Sequence, residues 1–96
     1  MTQRLLLINI NPDADELDGC HAIAAAFYEL GAPVKIVHWA ELSQASDPCG
    51  VVLGPNGTPF QAYPEPFTEF LRWVRDLPRP ILGICGGHQA LALAHG

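Results

Sequence analysis

Ile81-Leu82-Gly83-Ile84-Cys85-Gly86-Gly87-His88-Gln89 is the stretch on which the fold turns. Ile81 to Ile84 is a short apolar run of strand character, and Gln89 to Ala94 is a run of strong helix formers. Between them lies Gly83-Ile84-Cys85-Gly86-Gly87, a G-x-nucleophile-x-G pattern with cysteine in the serine's place, at the strand-to-helix junction that a nucleophile elbow requires. Such a turn holds its central residue in a sparsely populated backbone conformation and leaves room only for hydrogen on the flanking Cα atoms, which accounts for Gly83 and Gly87. The helix that opens after Cys85 aims unpaired N–H groups and its positive dipole end at the sulfur, an arrangement that stabilises negative charge there.

The same alternation extends upstream. Leu5 to Ile10 is nearly continuous in apolar residues, as in a central strand covered on both faces. Ile23, Phe27 and Leu30 recur at helical spacing among alanines, and Gly31 supplies a stop. Val34 to Trp39 and Val51 to Leu53 read as two further strands joined by a loop, the second of them entering Gly54-Pro55-Asn56-Gly57-Thr58-Pro59. Phe67, Phe70, Leu71, Val74 and Leu77 share one face of a second helix, with Arg72 and Asp76 spaced as an i, i+4 pair. The order strand, helix, strand, strand, helix, strand, helix predicts an α/β fold: a doubly wound, mostly parallel sheet with its ligand site at the carboxyl ends of the strands.

Composition narrows the function. The chain has 96 residues, 49% hydrophobic and 16% charged, with a net charge of −5. Its five Lys and Arg are scattered, which argues against nucleic acid as a partner, because phosphate binding needs clustered cations. Leu5 to Ile10 is too short for a membrane span or a signal-peptide core. Three widely spaced cysteines, Cys20, Cys49 and Cys85, do not form a disulfide framework, so a reducing cytoplasmic location is expected.

Ile81 to Gly96, ILGICGGHQALALAHG, resembles the nucleophile segment of class I, or triad, glutamine amidotransferases, where a strand delivers G-[IV]-C-x-G-H-Q to a helix. Val51 to Phe60, VVLGPNGTPF, is similar to that family's oxyanion loop. The resemblance identifies residues 1–96 as the N-terminal part of such a domain, flavodoxin-like and truncated after the elbow. It implies that Cys85 attacks the side-chain amide of L-glutamine, that Gly54 and Gly86 supply oxyanion or substrate contacts, that Gln89 helps to hold the substrate and that His88 buttresses the elbow. Ammonia would pass to a synthase domain or subunit, with no cofactor and no metal. Against the family's G-P-G-x-P, the loop here has one residue extra, and either Asn56 or Gly57 takes the second glycine's role.

A cysteine glutaminase also needs a base, oriented by a third group. The family supplies these as H-x-E far downstream of the elbow. None of His21, His38, His88 and His95 stands two residues before a carboxylate at the expected place, so the resemblance implies that these 96 residues alone are inactive. Two other readings stand beside the glutaminase: a γ-glutamyl hydrolase, and a non-catalytic docking or remnant module whose thinly covered sheet would bind hydrophobic dyes and self-associate. Cys85 and His88 also have C-x-x-H spacing, half of a zinc site without a matching second pair. The acidic stretch Asp13 to Asp18 reads as a solvated loop.

Overall fold

The computed structural model describes residues 4–17, 19–42 and 47–96. Four strands and three helices follow one another as β1 (Leu5–Asn9), α1 (Cys20–Glu29), β2 (Val34–His38), β3 (Gly50–Leu53), α2 (Phe67–Asp76), β4 (Ile81–Gly83) and α3 (Gly86–His95). The strands form one parallel sheet in the order β2-β1-β3-β4, with Leu7 opposite both Ile36 and Val52, and Val52 opposite Leu82. The fold is therefore the doubly wound α/β class that the alternation predicted. Because every strand runs the same way, Asn9, His38, Leu53 and Gly83 all end on one edge, and the order reverses between β1 and β3. That switch point is where open α/β sheets leave a crevice for ligands.

Period-two alternation sorts the strand residues between two cores. Leu6, Ile8, Val51 and Leu53 face Trp39, Phe67, Phe70 and Val74, with Ala90 of α3 closing the cluster. Leu7 and Val52 face the other way, onto Cys20 and the half-buried Ile23, Ala24 and Phe27 of α1. Each fully buried large apolar side chain contributes roughly 1.5–3 kcal/mol by leaving water. The first core is the richer in aromatics: Trp39 meets Phe67 edge to face with ring centroids 5.0 Å apart, and Phe67 lies 5.3 Å from Phe70. α1 covers only part of its face, leaving Leu82 of β4 52% exposed.

Several local expectations are corrected. β2 stops at His38, because Trp39 begins a single 3-10 turn that rotates its indole into the first core. Leu30 caps α1 and is 81% exposed, so the buried stripe of that helix begins at Cys20 and excludes Leu30. Gly31 does terminate the helix, in the left-handed conformation at φ +79°. Asp76 pairs with its neighbour Arg75 (3.0 Å) in place of Arg72. That contact holds the Asp76 carboxyl below its usual range, but both side chains are exposed and the pair adds little to stability. Of the acidic stretch, Asp18 lies outside the described residues.

Two asparagines interrupt the apolar pattern at the end of β1, and both are buried. Asn9 Oδ1 accepts from the Asn11 backbone N–H (3.0 Å) and from Asn11 Nδ2 (2.8 Å), while Asn9 Nδ2 donates to the Glu16 carbonyl (2.8 Å). The Asn11 carbonyl in turn accepts from Trp39 Nε1 (2.9 Å) and contacts His38 Nε2 (2.7 Å). His38 Nδ1 accepts from the Ala40 N–H, so the ring proton sits on Nε2 and the imidazole is a structural clamp. This network fixes residues 11–17 over the strand ends. Asn9→Ala leaves buried partners unsatisfied and is expected to cost about 1–3 kcal/mol in urea unfolding, with α/β secondary structure retained by circular dichroism.

Candidate active site

The chain passes from β4 into α3 through a tight turn centred on one residue. Cys85 has φ 53° and ψ −116°, and is the one non-glycine residue with positive φ among the described residues. Just before it, the Ile84 N–H still donates to the Leu53 carbonyl (3.0 Å); just after it, Gly87 N–H bonds to Ile84 O and His88 N–H to Cys85 O, both at 2.9 Å. The turn is therefore closed on both sides, and Cys85 is exposed at its apex.

The glycines explain how this turn fits against the sheet. A Cβ on Gly87 would overlap the Leu53 carbonyl oxygen, and one on Gly83 would lie 2.6 Å from His88 Cα. Both obstacles are backbone, which cannot swing aside as a side chain does. It is the backbone of His88 that rests on Gly83, while the residue as a whole is exposed.

Facing the elbow is the loop after β3. Gly54 is buried and its N–H donates to the Ile8 carbonyl (3.0 Å), which makes it the last rung of the ladder. Asn56 is the residue that reaches the elbow: a Cβ on Gly86 would collide with its Oδ1 and lie 2.9 Å from its backbone nitrogen. Gly57 has open space around its Cα. Neither the Gly86 N–H nor the Asn56 N–H has a backbone acceptor among the described residues.

Gln89 lies on α3 one turn after Cys85, its N–H directed to the Cys85 carbonyl (3.4 Å). It is exposed and borders a groove with Thr58, Tyr63, Leu71 and Leu93. The elbow and the loop after Gly54 meet at one end of the sheet, whereas the groove that Gln89 borders is lined by neither Cys85 nor Gly86. His21, at the start of α1, and His95, at the end of α3, are exposed. Among the described residues, no group of three or more His, Cys, Asp and Glu is placed to hold a metal ion, and no helix is long and apolar enough to cross a membrane.

Sequence reasoning missed Tyr63. Its hydroxyl donates to the Ile10 carbonyl and accepts from Asn56 Nδ2 (2.9 Å). Burial, with a smaller contribution from Glu16, raises the phenol's pKa above its ordinary value despite the Asn56 hydrogen bond, so it remains a donor in neutral solution. Nothing in the local pattern around Tyr63 points to the site, because its partners lie on separate segments.

The site is thus built on a parallel, doubly wound α/β sheet, with an exposed cysteine on a glycine-flanked elbow faced by a loop N–H that takes no backbone carbonyl among the described residues. The family model of "Glutamine amidotransferase class-I" matches residues 18–96, and the chain belongs to that family. It is 39% identical over 80 residues to a subunit of the glutamine-hydrolyzing GMP synthase of Methanosarcina acetivorans, a match covering 80% of this chain and 40% of that protein. The corresponding proteins of Methanosarcina barkeri and Methanosarcina mazei are each 38% identical, with the same coverage. The chain thus spans about 40% of the length of these relatives. No solved structure matches it.

Proposed function

We propose that this chain carries the nucleophile half of a glutaminase, which hydrolyses L-glutamine to glutamate and ammonia for a synthase partner. The carrying observation is the backbone of Cys85, at φ 53°, with a thiol that faces solvent at the strand edge. A cysteine with a purely structural role has no need of a strained position that costs about 1–3 kcal/mol.

In this reading Cys85 Sγ attacks the side-chain carbonyl carbon of glutamine, and the carbonyl oxygen becomes an oxyanion. The Gly86 N–H and a loop N–H hold that charge, and loss of one such donor costs roughly 10²–10³ in rate. Because the Gly54 N–H is committed to Ile8, the loop donor is assigned to Asn56, and Gly54 serves by closing the strand and aiming the loop. The C–N bond then breaks, the thiol proton ends on the departing nitrogen, and ammonia leaves. Water adds to the γ-glutamyl thioester, and glutamate departs as the proton returns to sulfur. Gln89, at the rim beyond Cys85, is assigned to the substrate's polar end. The proton carrier is assigned to no histidine of this chain.

The similarity to proteins named for GMP synthase makes a GMP-forming synthase the first acceptor to test. Because the proton carrier is assigned to no histidine of this chain, ammonia release from glutamine should be measured for the chain assembled with the segment or subunit that supplies one, with and without a companion synthase, beside γ-glutamyl peptides as competing substrates. Release from glutamine that the peptides do not suppress supports the reading. Preferential hydrolysis of the peptides would assign the site to a γ-glutamyl hydrolase instead.

A further inference from the structure

Asn56 has a carboxamide whose orientation is dictated by its partners. Its Nδ2 donates to the Thr58 carbonyl (2.7 Å) and to the Tyr63 hydroxyl (2.9 Å). A carbonyl only accepts, so the amide nitrogen must face Thr58 and the oxygen must face Gly86, where a Cβ would strike it. With one lone pair of the Tyr63 oxygen taken by that N–H, the phenol directs its own proton to the Ile10 carbonyl. Every bond in the chain Ile10, Tyr63, Asn56, Thr58 therefore has a defined direction.

The phenol is also held laterally. Its ring lies 4.4 Å from that of Phe67 and 5.1 Å from that of Phe60, so it is anchored to the aromatic core under α2. The loop after β3 is thus tied at its tip to the end of β1 and, through Tyr63, to the helix that packs beside α3. Those ties set where the Asn56 backbone nitrogen sits relative to Gly86.

We infer that Tyr63 is a positioning residue for the oxyanion site: acting through the Asn56 carboxamide, its hydroxyl holds the loop N–H against the elbow. This rests on the glutaminase reading. Such a role moves the stabilisation of a tetrahedral adduct and leaves the reactivity of the thiol itself alone, which allows the two to be separated.

The test compares two reagents on Cys85, followed by intact mass. One is a chloroketone bearing the glutamine side chain, which reacts through addition to its carbonyl and an oxyanion before the thioether forms and chloride leaves; the other is iodoacetamide, whose iodide is displaced by sulfur at saturated carbon without one. Tyr63→Phe and Asn56→Ala should each slow the chloroketone by on the order of 10²-fold, the scale on which small misplacements act, with iodoacetamide rates within about twofold of the wild type. The double variant should be no slower than the worse single one, because both act through one contact. Circular dichroism checks that each variant is folded, and Asn56→Ala carries the test if Tyr63→Phe is not. If the wild type shows the chloroketone preference and the folded variants keep it, the role of Tyr63 is overturned alone. A wild type without that preference overturns the glutaminase reading and this inference with it.

Discussion

Gly87→Ala is expected to abolish cooperative folding of this chain, or to cost more than about 4 kcal/mol, the range reserved for severe steric or cavity defects. The added methyl would be placed on the Leu53 carbonyl oxygen, in a strand that pairs on both sides. That oxygen accepts the Ile84 N–H at 3.0 Å, so moving it breaks the link between β3 and the elbow. Lifting α3 instead would uncover Ala90 and the core beneath it. A domain of ordinary stability, about 5–15 kcal/mol, has little reserve for either. Gly57→Ala is the matched control: space is open there, and the change should stay within about 0.5 kcal/mol. Urea unfolding followed by circular dichroism reads both, and equal midpoints for the two variants would contradict the close approach of helix and sheet.

The second large effect separates stability from chemistry at one position. Cys85→Ala and Cys85→Gly should both lose all reaction with a glutamine-side-chain chloroketone, and any glutamine turnover of the assembled enzyme should fall by on the order of 10⁶, as when a nucleophile is removed elsewhere. Their stabilities should differ in the unusual direction. At φ 53° a side chain strains the backbone and glycine does not, so Cys85→Gly should be about 1 kcal/mol more stable than Cys85→Ala. In an ordinary helix or strand the order is the reverse. A chemical-denaturation comparison that found alanine the more stable would show that the elbow is relaxed.

The fold and the tight turn at Cys85 were legible because each rests on short-range rules. Leu5 to Ile10 announces a strand buried on both faces, Gly31 a helix stop, and Gly83-Ile84-Cys85-Gly86-Gly87 a turn that only small neighbours permit. Where several segments compete for one atom, the sequence was a poorer guide. The Gly54 loop was recognised, but that its N–H belongs to Ile8, and that Asn56 reaches Gly86, depends on how β1, β3 and β4 register against one another. Tyr63 is a residue among turn formers in the sequence and a crosslink in space. Trp39 looked like the last residue of a strand, and its burial was decided by Phe67 and Phe70, which lie far along the chain. Arg75 outcompeted Arg72 for Asp76 because an adjacent guanidinium reached the carboxylate, a contact that helical spacing alone does not anticipate.

In the proposed reading Cys85 is a nucleophile shaped for the glutamine side chain, and Cys49 offers a built-in comparison because it is exposed too. Treating the protein with the glutamine-side-chain chloroketone, with and without excess L-glutamine, and mapping the adduct by peptide mass tests the claim directly. A single adduct at Cys85 whose formation glutamine slows is the predicted result; alkylation of Cys49 and Cys85 at similar rates, unaffected by glutamine, would contradict it.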